Sequence, residues 1–135
     1  MKNSWHNNKI SKRLDEEYPH DFSICDIDGI CRCFYKQNNT WKTRFIIYES
    51  KEKNEEASQT QLQSLYELQT NIKWENFDEY SGVYLLKHDE AVEKIDMYKI
   101  KMIKGYGNRI YGYDKFHETT MTGFYNIISV KDKRK

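Results

Sequence analysis

The hydrophobic positions of this chain follow two periods, and the most informative stretch is one where the pattern breaks. In residues 44–51 the odd positions Phe45, Ile47, Glu49 and Lys51 fall on one face of an extended segment, because strand side chains alternate with period two. A face that buries Phe45 and Ile47 would not ordinarily carry Glu49 and Lys51 as well, since charges are seldom buried unless paired or put to use. An acid and a lysine therefore stand side by side at the end of an apolar strand.

Elsewhere the periods are regular. Residues 30–36 set Ile30, Arg32 and Phe34 against Cys31, Cys33 and Tyr35. Together with residues 22–27 they read as two strands or one bulged strand, followed by a turn at Gln37-Asn38-Asn39-Thr40. Residues 83–87 read as a strand closed by the turn His88-Asp89-Glu90. Tyr98, Ile100 and Met102 alternate with Lys99, Lys101 and Ile103, which predicts a half-buried strand with its lysines outward. Residues 124–130 predict a last strand. Two stretches have helical spacing instead: residues 7–18, with Ile10 and Leu14 and a stop at Pro19, and residues 57–71. In the second, Leu62, Leu65, Tyr66 and Gln69, widened by Leu68 and Ile72, predict a core-facing helix capped by Asn54 or Ser58.

The strand after that helix is expected to return beside the strand carrying Glu49. The predicted fold class is therefore α/β (α+β): a single domain over residues 1–135, with a central mixed β-sheet flanked by helices. A chain of 135 residues suffices for one core. Aromatic residues make up 15%, eleven of them tyrosine, and argue against a disordered chain despite 32% charged residues.

Cys25, Cys31 and Cys33 are odd in number and fall on predicted strands, which speaks against a disulfide framework. No stretch has the apolar length that spans a bilayer, and the first residues lack the apolar core of a signal peptide, so a cytoplasmic protein with no membrane partner is expected. Abundant lysine, asparagine and isoleucine with scarce alanine hint at an AT-rich genome, hence at a bacterial cell or a phage-infected host. The net charge of +1 hides a division. Residues 1–96 hold 13 basic and 18 acidic side chains, whereas residues 97–135 hold nine basic and three acidic. Such a split is consistent with a metal held in one region and phosphate tracked in another.

Asp26 and Asp28 share parity in Asp26-Ile27-Asp28-Gly29, with Gly29 free to turn or bulge directly after them. Pairing of the strands would bring an aspartate against Glu49. The succession Asp28, twenty residues, then Glu49-Ser50-Lys51 resembles the signature of the PD-(D/E)xK nuclease superfamily, and the Asp-Ile-Asp-Gly sequence resembles its phage and bacterial members. The likeness covers roughly residues 18–68, and Ile27 stands where the signature proline would be.

The resemblance implies a restriction-endonuclease-like core and metal-dependent hydrolysis of DNA phosphodiester bonds, in phage DNA processing or junction resolution. It implies that Asp28 and Glu49 hold Mg²⁺ or Mn²⁺, with the Ser50 carbonyl as a third ligand and Asp26 as an alternative or supporting acid. Lys51 would act on the attacking water or on transition-state charge. A glutamine of the following helix, with Gln61 the choice over Gln59 and Gln63, would orient a site carboxylate or touch a phosphate. Glu16 or Glu17 of the early helix would add a further acid.

Beyond the motif, Gly105-Tyr106-Gly107-Asn108-Arg109-Ile110-Tyr111-Gly112-Tyr113 reads either as a nucleic-acid-binding loop or as a tight hairpin with tyrosines on the sheet. On the first reading Lys101, Lys104 and Arg109 contact phosphate and Tyr111 stacks on a base. DNA is the expected partner, and a homodimer or a place in a larger complex is expected if two strands are cut. Two other classes fit the same sequence: a nucleic-acid-binding or regulatory subunit without chemistry, and a small inhibitor acting through Trp74, Phe77 and Tyr80 as exposed anchors.

Overall fold

A computed structural model describes residues 9–18 and 27–132. Its elements are α1 (Lys9–Glu17), β1 (Gly29–Gln37), β2 (Thr40–Glu52), α2 (Gln59–Asn71), β3 (Gly82–His88), β4 (Lys94–Lys104), β5 (Ile110–Thr120) and α3 (Met121–Ile128). The five strands form one mixed sheet in the order β1-β2-β3-β4-β5, and only β2 and β3 run parallel. The α+β class and the crossover return of β3 beside β2 are as the sequence predicts.

Local chemistry explains the joints. Asn38 and Asn39 both take positive φ, 52° and 63°, as a two-residue hairpin between right-twisting strands requires. Ser58 caps α2: its side chain accepts from the Gln61 N–H while the Gln61 side chain accepts from the Ser58 N–H. Gly29 stands where the Tyr48 ring crosses the sheet, and an added Cβ would collide with that ring. A further joint is the irregularity between Met97 and Tyr98, where β4 pairs with His117 and then with Lys115. The extra residue, Phe116, is thereby turned against Tyr80, Tyr84 and Lys99.

Helix α2 covers one face of the sheet, where Leu62 and Leu65 are buried in clusters with Ile47, Val83, Leu85 and Tyr111. On the opposite face α3 buries Phe124 and Ile127 against Ile46, Tyr84, Leu86, Ile95 and Met97. The predicted last strand, residues 124–130, is thus corrected to helix and turn. Thr120 accepts from the Gly123 N–H as N-cap, and the i, i+3 pair Phe124 and Ile127 meets the sheet, which a strand would not allow. Short apolar runs do not distinguish the two states by period alone. Residues 105–109 connect β4 and β5 as a hairpin, with Tyr106 exposed and Tyr111 buried, and β5 runs on from Ile110 to Thr120 as a strand the pattern did not reveal. The predicted strand at 22–27 lies almost wholly outside the described residues.

Trp74, Phe77 and Tyr80 are half-buried and packed within the chain rather than presented as anchors. Phe77 stacks on Phe45 and meets Trp74 edge-on, while Tyr80 lies over the Arg44 guanidinium. Among the described residues no helix is long and apolar enough to cross a membrane.

Arg44 is 1% exposed and holds the connection before β3 and the end of α3 at once. Its Nε donates to Asp78 Oδ2 at 2.7 Å, and its terminal nitrogens donate to the Ile127 carbonyl and to both oxygens of Asp132. Tyr35 on β1 donates to the same Asp78 oxygen at 2.8 Å, and burial together with that bond pushes its phenol pKa well up. Burial alone would lower the Arg44 pKa. The hydrogen bonds to Asp132 and Asp78 outweigh it, and the guanidinium stays charged.

Removing one partner of a buried ion pair strands the other, so Asp78→Ala is expected to cost about 3–5 kcal/mol. Tyr35→Phe, which removes one hydrogen bond from an acid that keeps others, is expected to cost about 1–2 kcal/mol. Urea unfolding of the two variants checks both the size and the order.

Candidate functional site

Alternation along β2 and β3 fixes the contents of the sheet's α2 face. Ile47, Val83 and Leu85 point toward α2, so Glu49, Lys51 and Lys87 continue the same face at the C-terminal ends of the parallel pair. Such strand ends are where open α/β sheets place ligands. Glu49 is only 6% exposed and Lys51 is half-buried. In the parallel ladder Glu49 stands opposite Leu85, and Lys51 opposite Lys87.

Asp28 approaches from the β1 side. The antiparallel register ends with Gly29 opposite Tyr48, and the Asp28 N–H still donates to the Tyr48 carbonyl, which leaves Asp28 beside Glu49 at the next position. Its carboxylate is fixed on β2: Oδ2 accepts from the Ser50 N–H and from the Ser50 hydroxyl, each at 2.8 Å. Oδ1 makes no hydrogen bond among the described residues. Ser50 therefore orients Asp28. The carbonyl of a strand residue leaves by the same edge as its N–H, so that of Ser50 also points to the Asp28 side.

The other predicted members are not gathered here. The Gln61 side-chain oxygen is committed to the α2 cap. Gln59 pairs with the Tyr111 backbone in both directions, at 2.8 and 2.9 Å, in the manner of an adjoining strand. Gln63 is half-buried and bonds Glu67. On α1 no residue is buried; Glu16 is exposed and Glu17 is bonded to Arg13 at 3.0 Å. Asp26 lies outside the described residues. No cluster of three or more His, Cys, Asp or Glu side chains suited to a metal occurs among the described residues.

The predicted phosphate contacts fall at the far end of the sheet. From Tyr98, which stands opposite Leu85, to the turn at Gly105 is roughly 23 Å along β4. Lys104 and Arg109 are exposed at that tip, and Lys101 is bridged to Asp114 at 2.8 Å. Tyr111 is a correction: it is 3% exposed and packed against Tyr66, with no face left for a base.

Sequence reasoning missed the cation that does share the face. Lys87 is 7% exposed, its Nζ 3.4 Å from Glu56 and 5.3 Å from the centre of the Tyr113 ring. Val83, Leu85 and Lys87 break an apolar face with a charge just as Phe45, Ile47 and Glu49 do, and that signal would have found it. Behind the site, on the α3 face, a cavity of about 270 Å³ is lined by Tyr48, Ser50, Leu86, His88 and Phe124 among others.

Comparison with protein-family models, with curated proteins and with solved structures finds no match.

The two helix glutamines differ in what they hold. Gln59→Ala is expected to cost about 1–3 kcal/mol by stripping two backbone partners from Tyr111, and Gln63→Ala under about 0.5 kcal/mol. Equal effects in thermal melts would contradict the strand-like role of Gln59.

Proposed function

We propose that the protein is a metal-dependent nuclease that hydrolyses DNA phosphodiester bonds at the end of β2, where Glu49 and Lys51 share the α2 face and Asp28 stands at the sheet's margin. The observation that carries this reading is the buried Glu49, followed by Lys51 on the same face at the end of β2, with Asp28 in the adjacent register position. Hairpin, crossover helix and parallel strand follow one another as a restriction-endonuclease-like core requires, which supports the resemblance in the sequence.

The donor set fits Mg²⁺ or Mn²⁺. Two carboxylates offer hard oxygens, and such ions commonly use one or two carboxylates, with water and substrate phosphate completing the shell. When bound, the ion would neutralise phosphate charge and lower the pKa of its water. The chain's own residues do the rest. Ser50 holds Asp28 in one orientation through two hydrogen bonds, as outer-shell partners of metal ligands do. Glu49, 6% exposed, brings its carboxylate to the same end of β2. Lys51 stands next in line to position or deprotonate the attacking water, or to balance charge in the transition state. Cutting both strands of a duplex would call for two copies or repeated binding.

The test is cleavage of labelled linear, nicked, single-stranded and four-way-junction DNA with Mg²⁺, Mn²⁺ or EDTA. Metal-dependent cutting is expected from the wild type, with losses of at least about a hundredfold in Glu49→Gln and Lys51→Met. Ser50→Ala should weaken metal binding by about tenfold while leaving the fold intact. An absence of cutting on every form with both metals would contradict the proposal.

A further inference from the structure

Two buried cations lie in the sheet, and they are held very differently. Arg44 is enclosed by two carboxylates and a carbonyl, with its bond to Asp78 at 2.7 Å. The side chain of Lys87 is 8% exposed, yet the one acid it meets among the described residues is Glu56, at 3.4 Å. The Glu56 side chain is 76% exposed and belongs to the polar connection between β2 and α2. Its second oxygen accepts from the Tyr113 hydroxyl at 3.0 Å. Asp96, in register with Lys87 on β4, is turned to Lys115 instead, 3.9 Å away. A buried ammonium is ordinarily matched by close, equally buried partners. This one is covered by an acid on a solvent-exposed connection.

We propose that Lys87 is a phosphate-binding residue of the Glu49 and Lys51 face. A backbone phosphate of the nucleic acid takes the place of the Glu56 carboxylate, and Glu56, steadied by Tyr113, occupies the position until substrate arrives. This rests on the nuclease reading for the identity of the ligand. Its own support is placement: Lys87 stands beside Lys51 across the parallel ladder, on the face that carries Glu49. The exchange is one anion for another, so the buried ammonium is never left without a counter-charge. Burial depresses the Lys87 pKa, but Tyr113 and Glu56 raise it by more, which keeps the ammonium charged at neutral pH. The Tyr98 and Tyr113 rings, 5.0 Å apart, lie beside it with Lys115 near Tyr98, extending the same face toward β5.

The experiment is a titration of fluorescent single-stranded and duplex DNA with the full chain in Ca²⁺ at several salt concentrations, beside thermal melts and Mg²⁺ cleavage. Lys87→Met is expected to weaken binding roughly three- to tenfold and to lower the slope of log affinity against log salt by about 0.7–0.9, one phosphate contact. Lys87→Arg should restore most of both, and Glu56→Gln should bind as well as the wild type or better. A purely structural ion pair predicts matched losses of melting temperature in Lys87→Met and Glu56→Gln with an unchanged salt slope, and that result overturns the inference. If the wild type cuts DNA while the slope does not respond to Lys87, this inference alone fails. If the slope responds but nothing is cut, Lys87 binds phosphate and the nuclease reading fails.

Discussion

Everything at the C-terminal ends of the parallel strands depends on the buried contact between Arg44 and Asp78. Arg44 is the residue from which the apolar part of β2 begins, and Asp78 lies just before β3, so their bond sets how the two strands come together. Asp78 Oδ1 also accepts from the Ser81 hydroxyl, and Ser81 in turn receives the Phe45 N–H, which fixes the entry to β3. Through Tyr35, Asp132 and the Ile127 carbonyl the same centre reaches β1 and the end of α3. A slip of one residue between β2 and β3 would send Glu49 or Lys87 to the other face, because the side-chain period is two. The network thus fixes the register that brings Glu49, Lys51 and Lys87 to one surface.

The two ends of the sheet use charge in opposite ways. At the Arg44 end the guanidinium makes four hydrogen bonds, to Asp78, Asp132 and the Ile127 carbonyl, and burial makes each of those contacts costly to break. At the Glu49 end the charges are ranged along the α2 face: Glu49 and Lys51 on β2, Lys87 on β3, with Asp28 tethered at the margin by Ser50. Charges collected at the open ends of parallel strands are what a site for a polyanion and a divalent ion needs. The hairpin of Lys104 and Arg109 stands at the opposite end. A duplex engaging both regions would have to lie along the strands.

Most of the fold was legible because the residues that build it obey one period at a time. Phe45, Ile47 and the Glu49 break identified β2, Leu62 and Leu65 identified α2, and the Asn38-Asn39 pair identified the hairpin. The errors have physical reasons. Phe124, Ile127 and Ile128 form a short apolar run that suits either state, and the deciding feature, the Thr120 cap, is a single hydroxyl. In β5 the bulge at Phe116 resets the alternation, which blurs the strand's own pattern. At the site, Glu49 and Lys51 announced themselves by charge on an apolar face. Gln61 and Tyr111 looked functional by residue type, yet their partners, the Ser58 N–H and the Tyr66 ring, are local or tertiary contacts that type does not reveal. The acid network of Arg44 was invisible because Asp78 and Asp132 lie 34 and 88 residues away.

The most direct test of the central claim is anomalous diffraction from crystals of the protein grown or soaked in Mn²⁺. The account predicts a manganese peak within coordination distance, about 2.0–2.5 Å, of both the Asp28 and Glu49 carboxylates, and its loss in Glu49→Gln. A well-diffracting crystal with no peak between those two side chains, or with manganese bound elsewhere and Glu49 untouched, would contradict it.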